Sequence, residues 1–318
     1  MELVLLGAVV SIGKSPQALR WFFLLADLFV LLFAYRALSD HPQRRRWWMI
    51  LYALTPGPLY FFTLTPSDKP LILAGLLVVL WAVKSSGRKW ADWLAVLFTG
   101  LLAAFKWFGL LIAFPVAWVY GRRRVPRVLE VLVGVAIIFG LTHLLWFPEW
   151  TIVYRFRQMR FGPPFHSGLA VLLHAIGLPM PQLYTPLMVG SWVLVQYLHL
   201  RDRIDFPLAM ALSVLAVLIW APDTTAQMLF LLTLLLLLAV DWEHPLWIGL
   251  MLASTSWMAL MAAAAIGQVI PGLPLVDRFA ILSGPYGGLR LVLWSHLPLA
   301  LLMIRMLSLA IRWKPRSG

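Results

Sequence analysis

An all-α polytopic membrane bundle of about eleven transmembrane helices is the fold class this sequence predicts. Three observations lead there. The chain is 62% hydrophobic and only 12% charged, where a soluble domain is about 45–50% apolar. Its mean hydropathy is +0.85. Its charges are clustered into short breaks that divide the 318 residues into long apolar runs.

Taken in order, the breaks leave runs near 17–35, 48–65, 70–83, 92–105, 107–120, 128–147, 183–200, 206–222, 226–240, 245–267 and 289–311. The first, from WFFLLADLFVLLF, is interrupted by Asp27; the second begins at Trp47-Trp48 and ends at a proline-bearing turn. Asp68 and Lys69, bracketed by Pro66 and Pro70, separate the second run from the third. Lys84, Arg88 and Lys89 end the third, and Lys106 splits GLLAAFKWFGLLIAFP into the fourth and fifth. Arg122–Arg124 and Arg127 precede the sixth, Arg201 and Arg203 follow the seventh, and the last four runs complete the set. Several are shorter than the ~20 residues of a straight span, so neighbouring segments or re-entrant geometry must cover the deficit.

Sidedness follows from Lys and Arg, which cytoplasmic loops retain during insertion. Alternate turns hold Arg36 with Arg44–Arg46, the Lys84 group, the Arg122 group, Arg201 with Arg203, and Arg305 with the tail Arg312, Lys314 and Arg316. The intervening turns hold fewer basic residues. The first set is assigned to the cytoplasm, so an integral protein of the plasma (inner) membrane is expected, C-terminus inside. Eleven spans then place Met1 outside, and residues 1–14 read as a helix along the outer interface. Trp47-Trp48 and Trp146 with Trp150 suit an interfacial belt. The whole chain, 1–318, is expected to form a single transmembrane domain, with an extracytoplasmic loop of re-entrant or interfacial segments at 150–182.

Composition also excludes chemistries. Without cysteine there are no disulfides, thiolate metal sites or cysteine nucleophiles. The histidines show no paired ligand spacing. The net charge of +13 matches an anionic leaflet rather than nucleic acid, because the chain has no long soluble basic face. Membrane lipids are the expected surroundings.

Several polar groups fall on the outward side. Asp68 and Lys69 are either a solvated helix-ending turn or a carboxylate and ammonium at the mouth of a cavity. Lys106 either marks the turn of a tight hairpin, snorkelling to headgroups, or lines a polar cavity and holds an anion. In TIVYRFRQMRFGPPFHSG, Arg155, Arg157 and Arg160 interleave with Tyr154, Phe156 and Phe161, and His166 follows. Forked guanidinium binding of a phosphate or contact with anionic headgroups accounts for them. Asp27 is expected to pair with a group on a neighbouring helix, chiefly in a structural role. Asp223 and Tyr286 add cavity candidates on the same side.

The order of LRWFFLLADLFVLLFAYRAL, a basic turn, LYALTPGPLYFFTLTPSDKPLILAGLLVVLWAVKSSGRK and LAVLFTGLLAAFKWFGLLIAFPVAWVYGRRR resembles the GT-C superfamily of membrane glycosyltransferases, especially the polyprenyl-phosphate-mannose-dependent mannosyltransferases. The resemblance covers the first half and is topological beyond about residue 150. It implies transfer of a sugar, mannose or another hexose, from a polyprenyl-phosphate donor to an acceptor on the extracytoplasmic face. It further implies Asp68 as the acid, with Lys69, Lys106, Arg155, Arg157, Arg160 and His166 at the donor phosphate and Asp27, Asp223 and Tyr286 around the cavity. A divalent cation is the one cofactor this chemistry leaves open.

The superfamily's first helix and the acid of its first outer loop have no counterpart before residue 17. A truncated enzyme, a protein partner that supplies the missing helix, and a non-catalytic scaffold are the alternatives this raises. A lipid or solute transporter is a further one, but no repeat of broken helices in two halves favours it.

Overall fold

The structure, a computed structural model, describes residues 13, 17–54, 69–106, 108–121, 124–145, 181–218, 220, 231, 234, 235 and 238. These residues are all-helical. Eight helices run α1 Gln17–Ala37, α2 Pro42–Leu54, α3 Lys69–Lys84, α4 Lys89–Phe105, α5 Phe108–Tyr120, α6 Val125–Leu145, α7 Pro181–Leu200 and α8 Phe206–Leu218. Each coincides with one of the first eight apolar runs. The last two runs, 245–267 and 289–311, lie outside the described residues, as do residues 1–12 and the segment 150–180.

Boundaries depart from the sequence reading where charge was taken as a break. α2 starts at Pro42 and absorbs Arg44–Arg46. Proline at the first helical position is pre-organised for that start, and the Arg45 N–H donates to the His41 carbonyl at 2.9 Å. Lys69, expected in a turn, is the first residue of α3 and is buried. Pro70 is tolerated beside it, because first-turn N–H groups have no intrahelical acceptor.

Short connections make neighbours antiparallel. α3 and α4 form one hairpin, α4 and α5 a second, α5 and α6 a third, and α7 and α8 a fourth. Gly87, at φ +106°, supplies the left-handed turn that ends α3. The α7–α8 turn uses Asp202 at φ 52°, and Asp205 caps α8 by accepting from the Leu208 N–H at 3.0 Å.

α3 lies at the centre, buried over nearly its whole length, and α8 is the second buried helix. Both are apolar on every face, as burial on all sides requires. α1 packs along α3 in the same direction: Phe33 meets Trp81 with ring centroids 6.2 Å apart, and Asp40, just past α1, pairs with Lys84 at 3.5 Å. α4 and α5 approach closely at Gly109, where a Cβ would collide with the Thr99 carbonyl oxygen. Only glycine permits that separation.

A proline and a tryptophan join α5 to α7. Pro115 inside α5 has no N–H for the Leu111 carbonyl four residues earlier. The Trp192 indole N–H donates to that carbonyl at 3.0 Å. α2 is anchored similarly, with Trp48 Nε1 donating to the Leu234 carbonyl and Arg44 Nη1 to the Leu238 carbonyl, each at 3.2 Å. The i, i+4 spacing on both sides shows α2 running antiparallel to that segment.

Among the described residues, Val125–Thr142 of α6 is the one stretch with the length and apolar composition to cross a bilayer unaided; α5 and α8 are apolar over 13 residues each.

Candidate functional site

The alternation of hairpins sorts the described charges onto two ends of the bundle. At one end lie the turns carrying Arg36, Arg44–Arg46, Lys84, Arg88, Lys89, Arg124, Arg127, Arg201 and Arg203. At the opposite end are Lys69, Lys106 and, in the first turn of α1, Arg20.

The register of the α3–α4 hairpin brings those two lysines to one level. Gly75 of α3 faces the Leu102 side chain of α4, so Lys69, six residues before Gly75, and Lys106, four after Leu102, come out at the same end. Lys106 closes α4 in an extended conformation, φ −151° and ψ 132°, its N–H donating to the Leu102 carbonyl at 2.9 Å. It is half-buried at the turn of a tight hairpin. Lys69 is 4% exposed.

Asp27 sits deeper. Because Phe33 is level with Trp81, Asp27 lies level with Gly75, roughly 9 Å below Lys69 at 1.5 Å rise per residue. It is 9% exposed and accepts a 2.5 Å hydrogen bond from the Tyr52 hydroxyl of α2. Tyr52 is itself buried and stacks on Trp48, centroids 5.2 Å apart at 11°. The carboxyl thus fastens α1 to α2, the structural use expected of an acid within an apolar helix. Lys69, Lys106 and Asp27 share one half of the bundle. Asp68, Arg155, Arg157, Arg160, His166, Asp223 and Tyr286 lie outside the described residues.

A second polar layer gave no sequence signal beyond isolated polar letters. Gln196 Nε2 of α7 donates to Ser213 Oγ of α8 at 2.9 Å, and His199, one turn on, has Nδ1 3.2 Å from the Ile204 carbonyl. Among the described residues, Gln196 Oε1 is buried without a hydrogen-bond partner. Among the described residues no three acidic or histidine side chains gather as metal ligands. The chain matches no known protein family, characterised protein or solved structure.

Proposed function

We propose that this chain is an integral membrane glycosyltransferase of the GT-C type, moving a hexose from a polyprenyl-phosphate donor at its Lys69–Lys106 end. The membrane placement draws support from α6. Val125, Leu129, Val133, Ile137 and Leu141 recur every four residues on one face, each more than half exposed. A 21-residue helix is about 31 Å long, the thickness of a hydrocarbon core. Trp21, Leu25, Leu28 and Phe29 present a similar exposed face on α1. Apolar surface of that extent is stable against lipid and unstable against water. The strongly basic end then faces the cytoplasm.

One observation supports the catalytic reading: the α3–α4 hairpin puts Lys69 and Lys106 at the same end of the bundle, opposite the basic turns. Asp68 stands directly before Lys69 in sequence. In the proposed reaction an acceptor hydroxyl oxygen attacks the anomeric carbon of the donor and the sugar–phosphate bond breaks with inversion. The hydroxyl proton passes to Asp68, and the polyprenyl phosphate departs against the lysine ammonium groups. Asp27 has no part in the proton transfer, being held by Tyr52 within the bundle.

The test uses the full chain purified into lipid nanodiscs with labelled polyprenyl-phosphate mannose and a membrane extract as acceptor source. Label transfer by the wild-type chain and its loss in Asp68→Asn are expected. Transfer unchanged in Asp68→Asn removes that acid from the mechanism, and no transfer by either chain favours a non-catalytic scaffold. Because the sequence has no cysteine, Lys106→Cys and Arg88→Cys provide single labelling sites in intact cells. An impermeant maleimide should reach the first and spare the second; labelling of both, or of Arg88→Cys alone, contradicts the orientation.

A further inference from the structure

A line of aromatic rings crosses three helices and ends at a basic turn. Phe29 and Phe33 of α1 are stacked with centroids 6.2 Å apart. Phe33 meets Trp81 of α3 at 6.2 Å, and Trp81 meets Trp90 of α4 at 5.1 Å. The line begins on exposed apolar surface, since Phe29 is 51% exposed, and emerges again at Trp90 and Trp93, one turn apart on α4, the latter 76% exposed. It therefore lies on the outside of the bundle, along the seam where α1 and α4 flank α3.

Two adjacent cations stand at its end. Arg88 and Lys89 stand directly before Trp90 and are exposed. Lys84 is already paired with Asp40, which leaves the Arg88–Lys89 step as the cationic head of the seam. Asp92, in the first turn of α4, is the nearest acid in sequence. A flat aromatic strip suits an acyl chain, tryptophans at an interface suit the glycerol level, and two adjacent cations suit a phosphate.

We propose that this seam is a binding site for one anionic phospholipid, its acyl chain along Phe33, Trp81 and Trp90 and its phosphate at Arg88 and Lys89. The site rests on the membrane placement proposed above and lies at the opposite end from Lys69 and Lys106, so it is separate from the donor site. A generic attraction of the basic end for anionic lipid would instead be spread over all its turns.

Native mass spectrometry of the full chain, delipidated and titrated with phosphatidylglycerol or phosphatidylcholine, separates these cases. A first phosphatidylglycerol is expected to bind at least tenfold more tightly than phosphatidylcholine. Arg88→Gln/Lys89→Gln should weaken it about thirtyfold, as two lost headgroup cations imply, and Trp90→Leu should weaken it without any change of charge. Arg124→Gln/Arg127→Gln, which removes two charges from another turn of the same end, should leave it within twofold. Equal losses in the two double variants, no effect of Trp90→Leu, or equal binding of both lipids overturns the site. Carbonate extraction of cell membranes distinguishes the premise: release of the chain defeats the membrane placement, whereas retention with indifferent lipid binding defeats the site alone.

Discussion

Replacing Tyr52 with Phe removes one oxygen from the α1–α2 contact and leaves its shape intact. The ring keeps its stacking on Trp48 at 5.2 Å, while the 2.5 Å hydrogen bond to Asp27 is lost. A typical net hydrogen bond contributes about 0.5–1.5 kcal/mol, and one to a charged group about 1.5–3. Side-chain bonds between helices in a membrane average nearer ~0.6 kcal/mol, with a maximum around 1.7. The short distance and deep burial place this bond toward the top of that membrane range, so a loss of about 1.5 kcal/mol is expected, roughly tenfold in the unfolding equilibrium. Unfolding of the detergent-solubilised chain by graded dodecyl sulfate measures it. Asp27→Asn and the double variant complete a cycle whose coupling should be about 1 kcal/mol. A Tyr52→Phe chain within about 0.3 kcal/mol of wild type, or strictly additive single changes, would refute the assignment of this bond as a helix fastener. Sugar transfer by folded Tyr52→Phe should match wild type, because Asp27 is given no catalytic step.

Two further substitutions probe the packing. Gly109→Ala would force a methyl into the Thr99 carbonyl oxygen and should destabilise the α4–α5 hairpin by about 1–3 kcal/mol, as overpacking does, seen as an earlier unfolding midpoint. Trp192→Phe takes the indole donor from the Leu111 carbonyl and should cost about 1 kcal/mol. In a Pro115→Ala background the helix can satisfy that carbonyl itself, so the same substitution should then cost measurably less; equal costs in both backgrounds would contradict the exchange of partners.

The eight described helices were legible from the apolar runs because periodic burial is written locally, in the density and spacing of apolar residues. Their ends were less so. Charged residues with long aliphatic stems, such as Arg44–Arg46, extend a helix past the point where hydropathy falls. The site was legible only in part. Lys106 announced its hairpin by dividing one run into two, and Asp27 announced a need for a polar neighbour, but nothing in the sequence named Tyr52 as that neighbour.

The sequence by itself determined that the chain is helical and divided by basic breaks, since both depend on residues close in the chain. Tertiary structure decided that Lys69 is buried at the start of a helix, that Trp192 completes the backbone which Pro115 leaves open, and that four rings from three helices join into one seam. Each depends on the register between helices. That register is set by close approaches such as Gly75 to the Leu102 side chain and Gly109 to the Thr99 backbone, which no single helix encodes.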